Sequence, residues 1–235
     1  MDSFALITGA AARIGKSYAL KLADMGYNIF LHYNSSKEQA RKTKQLIEES
    51  GQKCYLKQAD FLDGAAVQAL ITDCTKQGSV EILINNASFF TESSMETEGN
   101  ELYDRMHKIN FKAPYILTKQ FAQHCGQGLV INLLDTKIAK THTRHFDYLL
   151  TKKTLQSFTG IAATQLGPSI RVNGIAPGPV LAPEDKSDSY LQEKARDNPL
   201  QRTGSLEQLE QALEFLVQNE FITGQVIYVD GGEHL

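Results

Sequence analysis

The sequence predicts a doubly wound α/β fold built on one parallel sheet, and three observations carry that expectation. Seven short apolar runs recur along the chain, at residues 4–8, 28–33, 53–58, 81–85, 129–134, 170–175 and 226–229. Stretches with helical spacing lie between them, which implies right-handed crossovers and a sheet covered on both faces. The first run breaks at a small-residue turn, Gly9-Ala-Ala-Ala12, and continues as a helical pattern from Arg13 to Leu22. A strand, a tight turn and a helix start in this order are the opening unit of a Rossmann-type sheet. In such sheets ligands bind beyond the carboxyl ends of the strands, where Gly9, Tyr33, Asp60, Asn85 and Leu134 are expected.

Composition narrows the function classes. The chain has 235 residues, 42% hydrophobic and 22% charged, which suits one domain over residues 1–235 with a sizeable core. A net charge of -3 leaves no basic excess, so nucleic acid or an anionic membrane is not expected as a partner, and a small molecule is. No apolar run approaches the roughly 18 residues of a membrane span, and no basic segment precedes an apolar stretch at the N-terminus. The cytoplasm is the expected location. Cys54, Cys74 and Cys125 are odd in number and widely spaced, which fits structural thiols in a reducing compartment.

The turn after the first strand lacks bulky side chains, so a ligand can approach its backbone. The N–H groups of the helix beginning near Arg13 and Ile14, with the positive end of the helix dipole, suit a diphosphate. The second strand ends in His32-Tyr33-Asn34-Ser35-Ser36-Lys37, without the acidic residue that usually binds a ribose 2′-hydroxyl. Hydroxyls and cations there favour a 2′-phosphate, hence NADP(H), with Arg13 contributing from the first turn. Ser35 or Ser36 also suits the cap of a helix over residues 36–50. After the third strand, Asp60 is placed either to accept from an adenine amino group or simply to begin a helix, and Asp63 to cap that helix.

The fourth strand ends in Asn85-Asn86-Ala87-Ser88-Phe89-Phe90, small polar residues followed by two aromatics, one of which is expected to face a cleft as a stacking surface. Tyr148 and Lys152 stand at i and i+4 on one helical face, near the start of a pattern over residues 147–166. A nearby cation is expected to lower the phenol's pKa towards useful general-acid chemistry. His142 and His145 lie between Asp135 and Tyr148, but no third ligand stands at a telling spacing, so no metal is expected. Tyr103 and Tyr115 read as packing residues. Residues 177–200 hold four of the six prolines and read as a loop or lid over the substrate.

Thr8-Gly9 with Gly15, Asn85-Asn86-Ala87, Asn110, Tyr148-x-x-x-Lys152 and Pro177-Gly178 occur in the order seen in the short-chain dehydrogenase/reductase family, which the chain resembles over nearly its whole length. Two positions depart from the family pattern: Arg13 stands where a third glycine is usual, and Asp135 where a serine is usual. Both departures, with His32-Tyr33-x-x-Ser36 and Asn86-Ala87-Ser88-x-Phe90, are similar to the pteridine reductase branch. The ending Asp230-Gly-Gly-Glu-His-Leu235 resembles its bacterial dihydromonapterin reductases. Ser35 occupies a position that is often arginine there, so phosphate selectivity leans on Ser36, Lys37 and Arg13.

The resemblance implies an NADPH-dependent reductase of dihydropteridines and a homotetramer. It implies that Arg13 faces cofactor phosphate and pterin oxygen, that Ser88 contacts cofactor or substrate, and that Phe90 stacks on the pterin opposite the nicotinamide. Lys152 would hold the nicotinamide ribose and tune Tyr148, Asn110 would support that lysine through a water, and Asp135 would orient Tyr148 and bond the pterin side. Ile14, Tyr33, Asn34, Phe61, Asn86, Ala87, Pro177 and Gly178 complete the expected cofactor site. The alternatives are a carbonyl reductase, for instance of a 3-oxoacyl thioester, and a nucleotide-sensing protein that has lost catalysis.

Overall fold

The computed structural model of the chain describes residues 2–96, 99–141, 145–182, 188–196 and 198–235. His142, and residues 183–187 and 197 of the expected substrate loop, lie outside the described residues.

All seven apolar runs are strands: β1 (Ser3–Ile7), β2 (Asn28–Tyr33), β3 (Cys54–Gln58), β4 (Ser79–Asn85), β5 (Gly128–Leu133), β6 (Ile170–Pro177) and β7 (Val226–Val229). They form one seven-stranded sheet in the order β3-β2-β1-β4-β5-β6-β7, every neighbouring pair parallel. Chain direction across the sheet reverses between β1 and β4, and that switch opens a crevice at the carboxyl ends of the strands.

Alternate residues of each strand enter opposite cores because side chains of a strand point to opposite faces. Ala5 and Ile7 of β1, Ile29 and Leu31 of β2, and Ile82 and Ile84 of β4 pack with α1 (Arg13–Asp24), α2 (Lys37–Glu49) and α8 (Leu206–Gln218). Phe4 and Leu6, Phe30, and Leu83 pack on the other face with α3 (Gly64–Thr75), α5 (Ala113–His124) and α6 (Phe146–Leu166). Helix α4 (Glu101–His107) runs through a π-helical turn, Lys108–Lys112, into α5. No helix among the described residues is long and apolar enough to cross a membrane.

The stretch 177–200 departs from the expectation of a loop, because it contains helix α7 (Asp188–Ala195). Leu191 and Ala195 stand four apart, Ala195 buried and Leu191 partly so. Two turns are too short to display a helical period amid the surrounding prolines and charges.

Glycines matter at the first turn. Gly9 has φ +63°, and a Cβ on Gly15 would lie 2.3 Å from the Gly9 carbonyl oxygen, so helix α1 closes on the turn only with glycine there. Arg13 also has positive φ, +54°, a conformation that costs a side chain about 1 kcal/mol or more.

Candidate active-site cleft

A cleft of about 580 Å³ opens at the carboxyl ends of β1, β2, β4 and β5. Gly9, Arg13, Ile14, Tyr33, Asn34, Ser35, Ser36, Asp60, Phe61, Asn86, Ala87, Ser88, Phe90, Asp135, Tyr148, Lys152, Pro177 and Gly178 all line it. Residues spread over 170 positions of sequence therefore converge, as the switch-point rule requires.

The small-residue turn is pinned from two sides. Asn86 Nδ2 donates to the Thr8 and Gly9 carbonyls at 2.8 and 3.1 Å, and the Thr8 hydroxyl accepts from the N–H groups of Asn86 and Ala87 at 2.9 Å each. The Gly9 N–H donates to His32 Nδ1 at 3.0 Å and the Ala10 N–H to the His32 carbonyl at 2.9 Å. Those two donors of the turn are taken, while Ala11, Ala12, Arg13 and Ile14 at the start of α1 border the cleft. Ser36 holds the cap position of α2 but makes no side-chain cap bond, so its hydroxyl is not committed to the helix. Asp63 does cap α3, accepting from the Ala65 N–H at 2.9 Å. Asp60 accepts from the Leu62 N–H at 2.9 Å, which fixes its carboxylate at the cleft edge.

Tyr148 and Asp135 meet at one end of the cleft: the phenol donates to Asp135 Oδ2 at 3.0 Å. The other oxygen, Oδ1, accepts from the Lys137 N–H at 2.9 Å, because Asp135 also caps the short 3₁₀ turn Thr136–Ala139. The expected lowering of the Tyr148 pKa is corrected here. Burial and then the adjacent Asp135 charge push it well above its ordinary value, and donation to Asp135 adds to the rise while Ser88 opposes it. Tyr148 is therefore a phenol held protonated. Lys152 Nζ turns to the Leu133 carbonyl at 2.7 Å, and burial lowers its own pKa to about 8, against the Asp135 charge.

Asn110 sits behind the cleft rather than on its lining. Its Oδ1 accepts from the Phe89 N–H at 2.7 Å and the Ser88 hydroxyl at 3.3 Å, and its Nδ2 donates to the Phe89 carbonyl at 2.9 Å and Thr151 Oγ1 at 3.3 Å. All four positions of the amide are occupied. The side chain thereby shapes the segment that carries Ser88 and Phe90.

The two aromatics part company. Phe90 is 48% exposed and meets Tyr148 edge-on, ring centroids 4.7 Å apart at 89°. Phe89 is half-buried and covered by the Arg105 guanidinium, 4.0 Å from its ring. Arg105 and Ile109 line the cleft and were not expected there. They stand four apart on α4 and the π-helical turn, and only the crossover brings them in, so no local signal marks them. Arg13 reaches across the cleft, donating to the Ala182 carbonyl at 3.0 Å. Among the described residues no group of three His, Cys, Asp or Glu side chains is placed to hold a metal.

A family model described as enoyl-(acyl carrier protein) reductase matches residues 9–234. A 3-oxoacyl-[acyl-carrier-protein] reductase of Staphylococcus epidermidis is 31% identical over the full length of both chains. A short-chain type dehydrogenase/reductase of Picea abies is 28% identical over 97% of this chain and 91% of its own. Among solved structures, the FolM alternative dihydrofolate reductase 1 of Brucella suis, in complex with NADP, superposes with a TM-score of 0.94 at 33% identity, covering 99% of this chain and 95% of that one. Its Brucella canis counterpart, also complexed with NADP, gives 0.93 at 34% identity over 99% and 94%. With these matches over its whole length, a sheet in the order 3-2-1-4-5-6-7 and the Tyr148/Lys152 pair at the cleft, the chain belongs to the short-chain dehydrogenase/reductase family.

Proposed function

We propose that the protein is an NADPH-dependent reductase of dihydropteridines, dihydromonapterin first among them, which adds hydride to the carbon of a ring C=N bond and a proton to its nitrogen. The observation that carries this reading is the surround of Tyr148: a carboxylate on its hydroxyl and the half-exposed Phe90 ring against its edge. A flat heteroaromatic substrate needs a stacking wall, and Phe90 offers one. A serine in place of Asp135 would suit a carbonyl oxygen, whereas a carboxyl can pass a proton towards a ring nitrogen.

The cofactor is NADPH, and the cleft's residues fit it. The turn at Gly9 carries only small side chains, no acid stands at the end of β2, and Ser35, Ser36 and Arg13 border the space a 2′-phosphate needs. Bound there, NADPH supplies the hydride. Lys152, its ammonium beside β5, would hold the nicotinamide ribose. The Tyr148 phenol, hydrogen-bonded to Asp135, gives its proton to the substrate nitrogen as hydride reaches the neighbouring carbon, and a proton from water then replaces it on the phenol, which the adjacent carboxylate keeps protonated between turnovers. Arg13, tied to Ala182, anchors the start of the proposed substrate loop 177–200.

The second reading, a 3-oxoacyl thioester reductase, is favoured by the 31% identity to enzymes of that name. A panel separates the two. NADPH oxidation followed with dihydropterins, dihydrofolate, an acetoacetyl thioester and simple ketones should be fastest with a dihydropterin. Fastest turnover of the thioester reverses the assignment, and no turnover of any substrate favours a nucleotide sensor.

The same proposal includes a homotetramer in the cytoplasm. Tyr103, His107, Phe111 and Tyr115 recur every four residues along α4, the π-helical turn and α5 in successive ring contacts, joined by Phe158 of α6. Tyr103 and Tyr115, expected as packing residues, are 41% and 43% exposed, which suits an aromatic ridge covered by another subunit. Three free cysteines agree with a reducing compartment.

A further inference from the structure

His32 lies one residue before the end of β2, buried at 2% exposure, yet it borders the cleft. Its ring joins two loops that are remote in sequence. Nδ1 accepts from the Gly9 N–H at 3.0 Å, and Nε2 lies 3.0 Å from the Ala59 carbonyl. A carbonyl only accepts, so these partners assign the hydrogen to Nε2 and leave Nδ1 bare. The ring also stacks on Phe61, centroids 4.4 Å apart at 11°, and the His32 carbonyl accepts from the Ala10 N–H at 2.9 Å. One residue thus holds Gly9 and Ala10 of the turn after β1, and Ala59 and Phe61 of the loop after β3.

We infer that His32 is a positioning residue that sets the spacing between the diphosphate turn and the adenine-side loop of the cofactor site. The inference rests on the NADPH reading and is independent of the pterin assignment. The residue type follows from the geometry. A neutral imidazole accepts at one edge and donates at the opposite edge of a rigid plane, and no other side chain does both across that span. Asparagine can reproduce only the Nδ1 side and glutamine only the Nε2 side. A protonated ring would set N–H against the Gly9 N–H, and burial keeps that form away by holding the pKa at about 4.

The two partial mimics give the test. His32→Asn keeps an acceptor for Gly9 and loses the Ala59 bond, so it should weaken both NADPH and adenosine 2′-phosphate. His32→Gln keeps the Ala59 bond and loses the Gly9 acceptor, so it should weaken NADPH and leave adenosine 2′-phosphate near the parent value. Each loss should be about tenfold or more in Kd, as for one buried hydrogen bond left unmade. Fluorescence or calorimetric titration reads both ligands, with thermal melting as the control for folding. A uniform drop in melting temperature with both affinities unchanged makes His32 a core residue only and overturns the inference. The parent supplies a test that needs no variant: long-range ¹H–¹⁵N spectra should show His32 protonated on Nε2 and bare on Nδ1, and the opposite tautomer overturns the inference equally. A parent that does not bind NADPH removes the cofactor reading itself, whereas a parent that binds it beside unaffected variants removes only the role of His32.

Discussion

The Tyr148 hydroxyl donates to Asp135 Oδ2 at 3.0 Å, which ties the proposed acid to a carboxylate thirteen residues earlier in the chain. Burial and the Asp135 charge both favour the protonated phenol. Tyr148→Phe should therefore lower kcat by about a hundredfold or more, the ordinary size of a lost general acid, with NADPH affinity nearly unchanged. Asp135→Asn removes a charge and should bring the Tyr148 pKa down, though burial still holds it above the ordinary range. Stopped-flow turnover and ultraviolet difference titration measure the two effects. Full turnover in Tyr148→Phe would make the tyrosine a positioning group only.

Phe90 tests the substrate class. Its ring is 48% exposed in the cleft, so truncation opens no closed core. Phe90→Ala should cost about 1 to 3 kcal/mol in kcat/KM for dihydropterins, by analogy with base–aromatic stacking, and little in the KM for NADPH. Equal losses for pterins and NADPH would mean that the ring supports the cleft rather than the substrate.

Cofactor choice follows from the end of β2. NADPH should bind at least tenfold more tightly than NADH, about 1.4 kcal/mol. Introducing an acid with Tyr33→Asp or Asn34→Asp should move the preference towards NADH, since a carboxylate repels the 2′-phosphate and accepts from a 2′-hydroxyl. Parallel fluorescence titrations check this, and equal affinities in the parent would remove the argument from Ser36, Lys37 and Arg13.

Acid stability should carry the signature of His32. Burial lowers its pKa in the folded chain from 6.5 to about 4. Between those values the unfolded chain binds the extra proton, so stability rises with pH across that window and is lost as pH falls through it. The loss should be on the order of 3 kcal/mol, from roughly 2.5 pH units at about 1.4 kcal/mol each. Urea unfolding at several pH values should show this slope in the parent and a shallower one in His32→Gln; identical slopes would contradict a buried neutral imidazole.

Much of this was legible in the chain because parallel strands buried on both faces read as apolar runs, and all seven did. The cleft was legible too, since its residues end those runs. What sequence concealed depends on distance along the chain. The i, i+4 spacing of Tyr148 and Lys152 suggested a lysine-tuned phenol. Asp135, thirteen residues earlier and beyond the end of β5, outweighs it in the folded site. Asn110 matched a motif, but its amide holds Phe89 and Thr151 from a π-helical turn that no local pattern announces. His32 stood within a motif, yet its partners, Gly9 and Ala59, lie 23 and 27 residues away.

The most direct test of the pterin assignment follows the hydride itself. In a single turnover with NADPH deuterated at nicotinamide C4 and a dihydropterin, deuterium should appear on the ring carbon of the former C=N bond, seen by NMR of the tetrahydropterin. Phe90→Ala and Asp135→Ser should each slow that transfer while remaining folded. Transfer that reaches only an acetoacetyl thioester, or dihydropterin reduction as fast in both variants as in the parent, would contradict the assignment.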